Sequence, residues 1–133
     1  MSEVTELPQD ARNWIAEHIT DDMRVMDISE SRIPVPPPVD FILLNGRLAY
    51  PAPQYDWLAF ARHLKRGGYL MLPNLRVESV RHLYAFLKEE PDWRIAWGTK
   101  DTAVFKLVGV FRAEPSPSSQ PYIARNTPPG CLP

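Results

Sequence analysis

Apolar and polar positions alternate along this chain in patterns that predict a series of elements. Leu7, Ala11, Trp14, Ile15, His18 and Ile19 recur at helical spacing and predict an amphipathic helix. Pro8 suits its first turn, where a missing N–H costs nothing. Asp21-Asp22 breaks the pattern, and Met23 to Ile28 reads as a short strand. Phe41 to Leu44 and Tyr69 to Leu72 are apolar almost throughout, as expected of parallel strands covered on both faces. Between them, Tyr55, Trp57, Leu58, Phe60, Ala61 and Leu64 predict a helix with a broad apolar face. Lys65 and Arg66 in its last turn would suit the macrodipole, with Gly67 or Gly68 as a left-handed cap. Strand, helix and strand make one βαβ unit. Val80, Leu83, Tyr84 and Leu87 mark another helix, ended by Pro91. Arg94–Trp97 and Thr102–Val110, joined by Gly98-Thr99-Lys100-Asp101, predict an antiparallel hairpin with Ala103, Phe105 and Leu107 on one face.

Proline changes the picture. There are 15 in 133 residues, clustered at Pro34–Pro38 and again from Pro115 onward. If Arg24–Ile28 and Phe41–Leu44 are parallel neighbours, their link must travel back one strand length, roughly 17–20 Å. Eleven residues in polyproline II geometry, Ser29 to Val39, reach about 34 Å. The stiff proline run is therefore expected to replace a crossover helix. Six prolines fall in the last 19 residues, with few apolar groups to order them. The expected organisation is an abbreviated α/β domain over residues 1–112 and a flexible Pro-rich tail over 113–133.

Composition narrows the classes. A net charge of -1 gives no basic field for nucleic acid. Neither a secretory signal nor an apolar run of membrane-spanning length is found, so a cytoplasmic location is expected, with no membrane and no nucleic-acid partner. The single cysteine, Cys131, excludes an internal disulfide. No two histidines share metal-ligand spacing with it, so no metal site is expected. His18 reads as a packed or partly exposed structural histidine and His63 and His82 as solvated surface; Asp27 and Asp56 could be catalytic in principle, with structural capping the favoured reading. The four tryptophans read as core or interface, since no basic patch accompanies them.

From Asp40 to Leu107 the pattern resembles class I S-adenosylmethionine-dependent methyltransferases of the small-molecule branch. Asp40-Phe41-Ile42-Leu43-Leu44-Asn45-Gly46 is similar to that branch's fourth strand, with Asn45 where aspartate is usual. Leu64-Lys65-Arg66-Gly67-Gly68-Tyr69-Leu70 resembles the Leu-x-Pro-Gly-Gly signature before the fifth strand. Pro73-Asn74 stands where that strand commonly ends in an acidic pair. The hairpin ending Val104-Phe105-Lys106-Leu107 resembles the sixth and seventh strands. Arg24–Ile28 looks like the first strand, but Ser29-Glu30-Ser31-Arg32-Ile33-Pro34 replaces the expected glycine turn.

The resemblance implies an abbreviated Rossmann-like α/β fold, mostly parallel with a C-terminal antiparallel hairpin. In family labels the sheet order would be 1-4-5-7-6. Ligands of open α/β sheets bind beyond the C-terminal strand ends, which makes Asp27, Ser29, Asn45, Gly46, Arg47, Tyr50, Asn74 and Arg76 the candidates for a ligand crevice. No catalytic residue is assigned. Two acidic positions read as asparagine, removing charge for a metal or a general base. The implied function is a methyltransferase-like domain without independent catalysis, serving in binding or assembly and needing no cofactor. The alternative is an active S-adenosylmethionine-dependent enzyme with an atypical cofactor site, acting on a small molecule. Loss of the second and third strands would leave Arg24–Ile28 at an open edge, so a homodimer is expected through that edge or through the Trp14 helix.

Overall fold

The structure is a computed structural model that describes residues 7–28, 38–111, 119–128 and 130. Its elements run α1 (Gln9–His18), β1 (Val25–Ile28), β2 (Val39–Leu44), α2 (Ala52–Phe60), a short 3-10 turn (Ala61–His63), β3 (Leu64–Leu72), α3 (Glu78–Glu89), β4 (Trp93–Gly98), β5 (Ala103–Leu107) and α4 (Pro121–Arg125). The five strands form one open mixed sheet in the order β1-β2-β3-β5-β4. β1, β2 and β3 are parallel, and β5 runs antiparallel to both β3 and β4. This is the strand order expected from the sequence. The fold class is α/β.

Period-two alternation divides the core between the two faces of the sheet. On one face Met26, Ile28, Ile42, Leu44, Leu70 and Leu72 meet Leu83 and Leu87 of α3. Ala103, Phe105 and Leu107 join them, as the hairpin pattern predicts. On the other face Phe41, Leu43, Met71 and Val104 pack under Leu7, Ala11 and Trp14 at α1. Burying each large apolar side chain contributes roughly 1.5–3 kcal/mol, so β2, buried at five of its six positions, anchors both layers.

Several expectations need correction. Gly67 and Gly68 do not cap a helix: α2 ends at Phe60, and Leu64 to Gly68 already belong to β3. The pairing passes from Val39↔Leu64 to Phe41↔Tyr69, so β3 carries extra residues in a bulge. Gly67 takes φ 88 there. A Cβ at Gly68 would lie 2.9 Å from the backbone oxygens of both Asp40 and Lys65. These glycines thus permit a bulge and a close backbone approach.

The face of α2 also differs. Tyr55 (64% exposed) and Leu58 (44%) point outward, while Ala52, Pro53 and Asp56 are buried. The helix stops before Ala61 and Leu64, which removes the stripe those residues were expected to complete. Asp56 sits buried mid-helix and Asp27 lies within β1, so neither is a helix cap. His63 is half-buried and not solvated surface.

Within the expected tail, Pro121–Arg125 is helical. This short helix lies on α3, its Arg125 guanidinium forked onto both carboxylate oxygens of Glu89, with Nη2 to Oε2 at 2.6 Å. A proline opens it at a position where proline is tolerated, and Ile123 lines a hollow together with Trp57 and Leu58 of α2 and Leu83 and Phe86 of α3. The proline crossover cannot be followed, because residues 29–37 lie outside the described ones. β1 and β2 are nonetheless parallel neighbours, paired from Val25↔Phe41 to Ile28↔Leu44.

Candidate functional site

The C-terminal ends of β1, β2 and β3 lie side by side, and the residues that follow them meet. The Asn45 N–H donates to Ile28 O at 2.9 Å, tying the end of β2 to that of β1. Its side chain is 2% exposed, and Oδ1 accepts from Asn74 Nδ2 at 3.0 Å. Asn74 holds φ 67, a left-handed conformation that asparagine tolerates better than most residues. Its carbonyl accepts from Val77 N at 3.0 Å, which shapes the turn into α3. Beyond it, Leu75 N donates to Asp101 O at 2.9 Å and Arg76 Nε to Asp101 Oδ1 at 2.5 Å. The loop after β3 is thereby tied to the β4–β5 turn.

The candidates therefore separate. Asn45 and Asn74 are brought into contact, with Gly46 beside them. Arg76 faces outward and spends its charge on Asp101. Arg47 and Tyr50 line a shallow hollow of about 340 Å³ with Pro51 and Tyr55, away from the asparagine pair. Asp27 lies on the α1 face of β1, paired in register with Leu43. Its Oδ1 is buried without a hydrogen-bond partner among the described residues, and burial raises its pKa above the usual 3.8. Ser29 lies outside the described residues.

The opposite end of the sheet carries its own electrostatic clamp. Asp40 accepts from the Lys65 ammonium and from the Arg24 N–H, the latter at 2.8 Å. The Lys65 hydrogen bond, followed by that of Arg24, holds the Asp40 carboxyl below its ordinary range. It joins β2 to the bulge of β3 and to the start of β1, which is a structural task.

Sequence reading missed a second hollow, of about 530 Å³, between the first turns of α2 and α3. Gln54, Glu78, Ser79 and His82 form two walls, Tyr50 the rim, and Tyr122 with Ile123 of α4 the third wall. Gln54 Nε2 donates to Ser79 O at 2.7 Å, and Ser79 Oγ donates to Leu48 O. The place of the hollow was foreseeable, since both helices follow the C-terminal ends of parallel strands. Its third wall was not, because nothing in the local pattern of residues 121–125 says where they dock.

A neutral amide pair can orient a ligand but cannot serve as a general acid or base near neutral pH. Among the described residues, no three His, Cys, Asp or Glu side chains group as a metal site. The resemblance would place S-adenosylmethionine against the loop after β1, residues 29–37, which lie outside the described ones. The first glycine of the chain is Gly46, so no glycine follows β1 before β2. No described helix is long and apolar enough to cross a membrane. Comparison with protein-family models gives no match, and no curated protein is similar to the chain.

Proposed function

We propose that this chain is an abbreviated methyltransferase-like domain that has no independent catalysis and acts in binding or assembly. The observation that carries this reading is the part-buried Asn45–Asn74 hydrogen bond, formed at two positions where the resembling family usually places carboxylates. Each amide is engaged with the other across the strand ends, and neither can take up a proton from a substrate or hold a cation by charge. The strand order and the single antiparallel strand support the same origin. Thermal unfolding with S-adenosylhomocysteine tests it. At about 100-fold excess over a micromolar Kd, a true cofactor site would gain about 2.7 kcal/mol, several degrees at this chain length. No shift is expected, and a rise of that size would sink the proposal.

One observation favours the alternative of an active S-adenosylmethionine-dependent methyltransferase acting on a small molecule. Asp27 is a part-buried carboxylate of raised pKa near the strand ends, the kind of group a proton-transfer site uses. As the assembly role we propose homodimerisation. Among the described residues β1 pairs only with β2, and Val25 is 41% exposed, an edge through which a second copy would add.

A further inference from the structure

We propose that the hollow between α2, α3 and α4 is a binding site for a small organic cation, an aryl- or alkyl-ammonium or a guanidinium compound. At about 530 Å³ it has the size of pockets that take small molecules. Its hydrogen-bonding inventory leans toward acceptors, with the His82 ring and the tyrosine hydroxyls able to donate as well. Gln54 Nε2 is fixed by the Ser79 carbonyl at 2.7 Å, which sets the amide orientation, since the flipped form would put oxygen against oxygen. That leaves Gln54 Oε1 as a buried acceptor with no donor among the described residues. A buried acceptor left unsatisfied costs about 1–3 kcal/mol, and a ligand N–H would recover it. Glu78 adds an exposed carboxylate with no ion pair among the described residues. The Ser79 hydroxyl is already spent on Leu48 O, so it offers no donor to an anion.

The apolar lining suits the rest of such a molecule. Tyr50 stands 73% exposed at the rim and Tyr122 on the far wall, both able to lie against a cation or its carbon frame. The nearby guanidinium of Arg125 lies 5.6 Å from the Tyr122 ring and is committed to Glu89. With the Glu78 carboxylate and the Gln54 oxygen beside two tyrosines, and His82 one turn beyond Glu78, the hollow favours a donor carrying positive charge. It lies apart from the Asn45–Asn74 pair, so ligand binding here is independent of cofactor chemistry at the strand ends.

The test is an NMR titration of the full chain with benzylamine, with benzyl alcohol as the neutral match and benzoate as the charge-reversed one. Saturable shifts at Tyr50, Gln54 and Glu78 are expected for benzylamine, with a Kd in the millimolar range and no response to benzoate. Glu78→Gln, at an exposed position that leaves the fold intact, should weaken benzylamine about tenfold. Gln54→Met, which removes the buried acceptor, should weaken it comparably, with the unchanged spectrum outside the hollow reporting that the chain is folded. Equal response to benzyl alcohol or benzoate, shifts elsewhere, no saturation, or full affinity in Glu78→Gln would each overturn the proposal.

Discussion

Two aspartates of this chain carry opposite electrostatic signs. Asp40 is more acidic folded than unfolded because Lys65 and Arg24 hydrogen-bond its charged form. Its stabilisation is present above the ordinary aspartate value and is lost as pH falls through the folded one. Asp27 is less acidic folded than unfolded because burial disfavours its charge. Between the unfolded and folded values the native state holds more protons there, so this term favours folding as pH falls. Asp40→Asn should therefore destabilise the chain at pH 7, and Asp27→Asn should stabilise it. Both differences should fade below about pH 4, which urea unfolding at pH 7 and in acid would check. A destabilised Asp27→Asn at pH 7 would mean that the carboxylate has a partner worth more than its desolvation.

At the strand ends, Asn74→Ala should lower stability by about 2 kcal/mol, combining a left-handed alanine with an orphaned Asn45 oxygen. Asn74→Gly should lose less, since glycine accepts φ 67 without strain. The meeting of Asn45 with Asn74 was legible in the sequence, because both follow adjacent parallel strands. The buried Gln54 oxygen was not, since it depends on side-chain rotamers and on a turn of α3 that the pattern leaves open.

Among the elements, the α3 stripe and the β5 alternation survived intact, while the α2 face and the Gly67-Gly68 cap did not. The α3 stripe and the β5 alternation reappear because burial decides them. Gly67-Gly68 was misread because glycine marks helix ends and strand bulges alike, and only the pairing partner tells them apart. Gly68→Ala tests the bulge. Its new Cβ would press on two backbone oxygens that cannot step aside, so a loss of about 1–3 kcal/mol is expected in chemical denaturation. A neutral result would mean that the strand slips its register to make room. The docking of α4 makes a parallel claim: deleting residues 119–133 should lower the melting temperature by several degrees, through loss of the Ile123 wall of the hollow it shares with α2 and α3 and of the Arg125–Glu89 fork.

For the whole molecule, three parallel strands and an antiparallel hairpin yield an open sheet with one layer of helices dense and the other thin. α2 and α3 cover one face, while α1 covers the other. The strand order was readable because the βαβ pattern and the terminal hairpin leave few alternatives. What covers β1 was not, because the chain after Ile28 gives no periodic signal. If β1 pairs with a second copy, light scattering at micromolar concentration should return twice 15.2 kDa, and Ile28→Lys should weaken the dimer more than any change at Asn45 or Asn74. A mass of one chain would remove the edge from the assembly role.

The central claim concerns chemistry, namely that a methyltransferase-like sheet persists here without its cofactor. Titration calorimetry of the full chain with S-adenosylmethionine and then S-adenosylhomocysteine tests it most directly. With Asn45 and Asn74 bonded to each other and no glycine between β1 and β2, neither compound should give a binding isotherm at micromolar protein. A saturable isotherm with a micromolar Kd for either compound would contradict the account and make Asp27 the first residue to test for catalysis.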